Sequence, residues 1–174
     1  MCNKIEIDKG TLTHYYIDRN QEVVYIPKNA TKIGSNFLKN YSDCIKKVII
    51  PSSIKSIEPF AFYNCIKLEC VEFEDENSVV KIDEGAFYGC SSLSSIMLPQ
   101  QLKTISKQSF YGCSSLKKVQ ISNSVEQIEN DAFGKCISLE QLIIPPTVKI
   151  ISSCAFYCCS KLETITIQGN KHNN

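Results

Sequence analysis

Apolar and polar positions in this chain follow a pattern that repeats every 23 residues. Between Ile105 and Ile121 the recurring positions are Ile105, Phe110, Cys113, Leu116, Val119 and Ile121. One period later they are Ile128, Phe133, Cys136, Leu139, Leu142 and Ile144, and then Ile151, Phe156, Cys159, Leu162, Ile165 and Ile167. One period earlier they are Ile82, Phe87, Cys90, Leu93, Ile96 and Leu98. The last two positions of each unit stand two apart, the spacing of a strand with one buried face. Such pairs occur at Val24/Ile26, Val48/Ile50, Val71/Phe73, Ile96/Leu98, Val119/Ile121, Leu142/Ile144 and Ile165/Ile167. They predict seven parallel strands, one per turn of a solenoid, stacked about 4.8 Å apart.

A period in the range of roughly 20–29 residues belongs to leucine-rich repeats. The fold class expected is therefore a leucine-rich-repeat β/α horseshoe, with a parallel sheet on its concave face. Between strands each unit carries I-x-x-x-[AS]-F. Glu58, Asp83, Ser106, Glu129 and Ser152 follow the Ile, where an acidic or hydroxyl side chain favours a helix start. That predicts short α- or 3₁₀-helical turns on the far side from the sheet. Pro51, Pro99 and Pro145 stand where a strand must end. Two units are irregular. Ile33 to Ile45 is one residue longer than Ile105 to Leu116, which leaves Cys44 out of register, and Glu74–Ser78 adds two residues that should bulge as a loop.

Residues 1–22 precede the array and read as an N-terminal cap, a β-hairpin turning at Lys9-Gly10. The repeats occupy 23–168. Residues 169–174 form a polar tail with nothing apolar to cover the last rung, so the final strand is expected either to pair with another chain or to belong to a longer array.

Strand alternation also selects the residues that point outward, where repeat proteins of this shape bind their ligands. One outward row is Lys47, Cys70, Ser95, Lys118, Gln141 and Thr164, and the other is Ile49, Glu72, Met97, Gln120, Ile143 and Thr166. The first is polar apart from one thiol. The second sets Ile49, Met97 and Ile143 at every second repeat, an apolar stripe between polar neighbours that could dock a protein.

Composition narrows the function. A net charge of +1 without runs of like charge argues against nucleic acid as a partner. No apolar run approaches the ~18 residues of a membrane span, and the first residues lack the basic-then-apolar order of a signal peptide. Asn29-Ala-Thr31 and Asn40-Tyr-Ser42 match the glycosylation pattern, which has no meaning without export. Ten cysteines would suit a secreted disulfide scaffold, but Cys65, Cys90, Cys113, Cys136 and Cys159 share one repeat position. A shared position implies a shared environment, that of a buried reduced thiol. Cytoplasmic location is the resulting expectation.

Catalytic chemistry finds little support. The two histidines, His14 and His172, fall in the cap and the tail, where neither is held against a nucleophile by a third group. Cys154, Cys158 and Cys159 with His172 form the densest candidate metal cluster, but Cys159 belongs to the core row and no second ligand pair is spaced for zinc. No enzyme activity, cofactor or metal is expected. A redox or metal protein is the least favoured of three classes, after a binding module and a self-assembling solenoid.

The unit also resembles the BspA-type leucine-rich repeat, known from treponemal surface proteins, with A-F-x-x-C-x-x-L-x-x-I-x-I-P at its centre. Ala61-Phe62-Tyr-Asn-Cys65, Ala86-Phe87-Tyr-Gly-Cys90, Ala132-Phe133-Gly-Lys-Cys136 and Ala155-Phe156-Tyr-Cys-Cys159 carry the resemblance, and Ser109-Phe110 is a mild variant. It spans about Val23 to Ile167. The resemblance implies a non-catalytic protein-binding role, adhesin-like or surface-antigen-like. It also implies a cell-surface location, as the alternative to the cytoplasm.

Overall fold

The computed structural model describes residues 5–169. Its solenoid is built from two strand ladders rather than the single one expected. The longer strands are β3 (Val23–Tyr25), β5 (Lys47–Ile50), β7 (Cys70–Phe73), β9 (Ser95–Met97), β11 (Lys118–Gln120), β13 (Gln141–Ile144) and β15 (Thr164–Ile167). Between them run two-residue strands β4 (Lys32–Ile33), β6 (Ser56–Ile57), β8 (Lys81–Ile82), β10 (Thr104–Ile105), β12 (Gln127–Ile128) and β14 (Ile150–Ile151). The seven predicted strands are all present and parallel to their neighbours. The second ladder uses the Ile that opens each unit, buried at Ile33, Ile57, Ile82, Ile105 and Ile128.

A hairpin, β1 (Ile5–Asp8) with β2 (Thr11–Tyr15), heads the second ladder. Its turn residues Lys9 and Gly10 both have positive φ, 45° and 82°, as a tight two-residue hairpin turn requires. Strand β2 then pairs in parallel with β4, and Gly34 N–H donates to Leu12 O at 2.9 Å. The first four residues of the expected cap lie outside the described residues.

The third side of each rung departs from expectation. Among the described residues the only helical segment is a 3₁₀ turn at Lys39–Tyr41, in the unit that is one residue longer. Elsewhere the I-x-x-x-[AS]-F segments form chains of tight turns. Two positions per unit, two residues either side of the Phe, take left-handed backbone: Phe60 and Asn64, Gly85 and Gly89, Gln108 and Gly112, Asp131 and Lys135. A left-handed residue every fourth position ends any helix before it completes a second turn. Hydrogen bonds then alternate between local and axial. Cys90 N–H donates to Phe87 O at 3.2 Å within its rung, while Phe87 N–H donates to Ser109 O at 2.8 Å in the next. The expected helix-capping residues serve the axis as well: Ser106 Oγ donates to Ile82 O at 2.6 Å, and Glu129 accepts from Lys107 N–H at 2.8 Å.

Inside, the rows stack as columns. Phe62, Phe87, Phe110, Phe133 and Phe156 lie nearly parallel with centroids 5.0 to 5.8 Å apart. In the irregular first unit Leu38 occupies the Phe place, donating its N–H to Ala61 O at 3.2 Å, and Phe37 packs edge-on against Phe62 at 6.3 Å. Beside the Phe column run the thiols. Cys90, Cys113 and Cys136 are fully buried, and each Sγ lies 3.2 or 3.3 Å from the Phe carbonyl of the preceding rung. The nine described cysteines are all free thiols.

The long-strand ladder is interrupted once. Strands β3-β5-β7 form one sheet and β9-β11-β13-β15 another, and the short strands divide at the same level, between β8 and β10.

Candidate functional site

The outward face of the long strands brings the two predicted rows into alignment. Lys47 is registered with Cys70, Lys118 with Ser95, and Gln141 with Thr164. Ile49 is registered with Glu72, Gln120 with both Met97 and Ile143, and Ile143 with Thr166. The break at β7–β9 splits each row, so the face is two short surfaces meeting at a seam.

Exposure separates the stripe's members. Met97 and Ile143 are 55% and 54% exposed, unusual for large apolar side chains with a core one residue away, whereas Ile49 is half-buried. Tyr25, 61% exposed and registered with Ile49, extends the stripe by one rung. It escaped sequence reasoning because it precedes the first complete unit, although the same alternation that selected Ile49 would have found it.

Charge and relief vary along the face. Lys47 Nζ lies 2.6 Å from Glu72 Oε2, and that carboxylate, by hydrogen bond and then by charge, holds the ammonium above its ordinary pKa. A hollow of about 300 Å³ beside Ile143 is lined by Lys118, Gln120, Asn123, Pro145 and Gln168. A groove of about 400 Å³ lies at the seam between Cys70, Glu72, Phe73, Glu74, Glu76 and Met97. These hollows are open, mixed in polarity and shallow.

Among the described residues, the candidate catalytic and metal side chains are not brought together. His14 is exposed on β2 with Nδ1 3.4 Å from Glu6 Oε2, and His172 lies outside the described residues. Cys154 and Cys158 are exposed and Cys159 points toward the core, its Sγ 3.0 Å from Phe133 O. Among the described residues no three His, Cys, Asp or Glu side chains converge as a metal site. No described helix is long and apolar enough to cross a membrane.

The model for the BspA type leucine rich repeat region matches the chain in six copies, over residues 12–136 and 103–173. The chain belongs to this family. Among solved structures, the BspA-type array is similar to a leucine rich cell surface protein from Faecalibacterium prausnitzii, at 28% identity and a TM-score of 0.70. It is also similar to the pneumococcal vaccine antigen PcpA, at 21% and 0.77, and to a T. pallidum leucine-rich repeat protein, at 21% and 0.71. Each alignment covers 95% of this chain; it spans 53%, 50% and 82% of those three respectively. The last two likenesses, below 25% identity, establish the fold alone. No curated protein matches the chain.

Proposed function

We propose that this BspA-type chain is a non-catalytic protein-binding module whose ligand lies on the outward face of the long strands. The carrying observation is the exposed stripe of Tyr25, Met97 and Ile143, held by sheet register and flanked by polar rows. Apolar side chains fixed on a rigid lattice lose little conformational entropy when covered, which suits them as anchors. Residues in the lysine and glutamine rows form the polar rim. An adhesin-like role at a cell surface agrees with the F. prausnitzii relative, itself a cell surface protein. That likeness favours the surface over the cytoplasmic placement.

Two substitutions test the face. Met97→Asp and Ile143→Asp each place a charge at an exposed position, leaving the core rows untouched. Proteins captured from an extract by the unaltered chain should be lost from both variants, with circular dichroism unchanged, and retained by a control at the turns, Tyr63→Ala. Capture that survives both aspartates would sink the proposal.

A second reading is favoured by a separate observation. Leu142 and Ile144 are 1% and 2% exposed, but the same positions one rung later, Ile165 and Ile167, are 46% and 68% exposed. Ile150 and Ile151 are 53% and 42% exposed beside them. Such a rung is a ready surface for another chain to extend, so the solenoid could also associate through its β15 end.

A further inference from the structure

We propose that the seam between β7 and β9 is a docking groove for an extended peptide with basic side chains on either side of an apolar one. The inference rests on the sheet-face reading above and narrows it to one place and one class of ligand.

The opening has a cause in the sequence. Residues 74–78, the two-residue excess of that unit, wind into a turn of their own. Asn77 N–H donates to Asp75 Oδ1 at 2.9 Å and Ser78 Oγ to Asp75 O at 2.8 Å. The extra chain separates the rungs on the sheet side, where no ladder joins β7 to β9 or β8 to β10. At the turn side the same two rungs stay bound. Gly85, Phe87 and Gly89 donate N–H groups to Lys107, Ser109 and Tyr111 carbonyls at 3.0, 2.8 and 2.7 Å, and Phe87 stacks on Phe110 at 5.4 Å. The solenoid is thus closed along one side and parted along the other two. The parting is spanned by single hydrogen bonds: Gln100 N–H donates to Glu76 O at 2.7 Å, Ser106 Oγ to Ile82 O at 2.6 Å and Ser92 Oγ to Ile66 O at 2.6 Å.

What the groove offers selects its occupant. β7 and β9 still approach within 8 Å between Cα atoms, too close to admit a strand between them, so the seam favours an extended peptide lying over it. The floor is apolar, with half-buried Phe73 beside exposed Met97. The rim is acidic: Glu72, Glu74 and Glu76 all line it, and only Glu72 is engaged by a lysine, Lys47. Carboxylates around an apolar floor complement a strand whose one face reads basic, apolar, basic. Side chains on one face of a strand stand two residues apart.

Acetyl-Lys-Thr-Leu-Thr-Lys-amide is the simplest such probe, with acetyl-Glu-Thr-Leu-Thr-Glu-amide as its charge-reversed partner. Added to the full chain labelled with ¹⁵N, the lysine peptide should give saturable shifts in amides of residues 70–76 and 95–97. The glutamate peptide should require at least tenfold more to do so, and a Glu74→Lys/Glu76→Lys variant with an unaltered spectrum elsewhere should reverse the preference. Equal response to the two peptides, or shifts centred elsewhere, would overturn the inference. So would saturable shifts from calcium chloride alone at these residues, which would make the seam a cation site. A silent seam alongside partner capture that still depends on Ile143 would remove the groove and leave the sheet-face reading standing.

Discussion

At the residue scale, the cysteine column shows how one atom serves the repeat. Phe87 O accepts from Cys90 N–H in its own rung and from Cys113 Sγ–H in the next, at 3.2 and 3.3 Å. A thiol suits this place because it packs as a small apolar group and still donates weakly. Burial is the main cause that pushes Cys65 and Cys113 from an ordinary 9.0 up to about 12, and it raises Cys90 and Cys136 strongly as well. The native chain therefore keeps these protons over a range in which the unfolded chain releases them. Stability should hold its full value below about pH 9 and fall as pH rises toward 12, by up to about 1.4 kcal/mol per pH unit for each buried thiol. Urea unfolding followed from pH 7 to 11 checks this; a free energy flat across the whole range contradicts it. In the same samples Cys70, Cys154 and Cys158, all exposed, should react with a thiol reagent at once, and the buried column only on unfolding.

At the scale of the element, the turns that replaced the expected helices explain which parts of the fold were legible. The Phe, Cys and Leu rows and the seven long strands could be read because each has a repeating apolar residue in a fixed place. Strands of two residues, such as Gln127–Ile128, contain one inward side chain and no alternation, so periodicity cannot distinguish them from a helix start. The left-handed positions were hidden for a different reason: only Gly85, Gly89 and Gly112 announce themselves, while Phe60, Gln108, Asp131 and Lys135 adopt the same backbone without glycine. Residues such as Asp83 and Glu129 then resembled helix caps. Of the candidate site, the two outward rows followed directly from alternation, but the seam did not, because the two-residue excess at 74–78 announces a loop and not the loss of the strand ladders beside it. The turns also make a local prediction. A Cβ on Gly85, at φ +60°, would lie 2.2 Å from the Phe60 ring, whereas one on Gly112, at φ +72°, meets nothing closer than 3.6 Å. Gly112→Ala should cost roughly 1–2 kcal/mol through backbone strain alone, and Gly85→Ala distinctly more. Equal denaturation midpoints for the two variants would show that the ring gives way freely.

At the scale of the whole molecule, the two ends differ. The hairpin β1–β2 covers the beginning of the second ladder, while β15 presents four exposed residues and, among the described residues, an unpaired edge. The proposed association through that end would join like to like and close at two copies. Light scattering should show a monomer–dimer equilibrium that Ile167→Glu shifts to monomer. Masses that continue beyond the dimer would point to head-to-tail growth instead. The seam bears on another property of the whole. Along the turn side every axial bond, from Leu38–Ala61 to Lys135–Tyr157, runs parallel to the length of the solenoid, so a pull applied at its two ends loads the rungs in series. A series of links yields at its weakest, and the junction of β7 and β9 has lost the strand ladders of two of its three sides, keeping there only single hydrogen bonds such as Gln100–Glu76 and Ser106–Ile82. Stretched between two attachments, the molecule would act as a pair of stiff rods with a fuse at residues 74–94, and it would give there before either half begins to unravel.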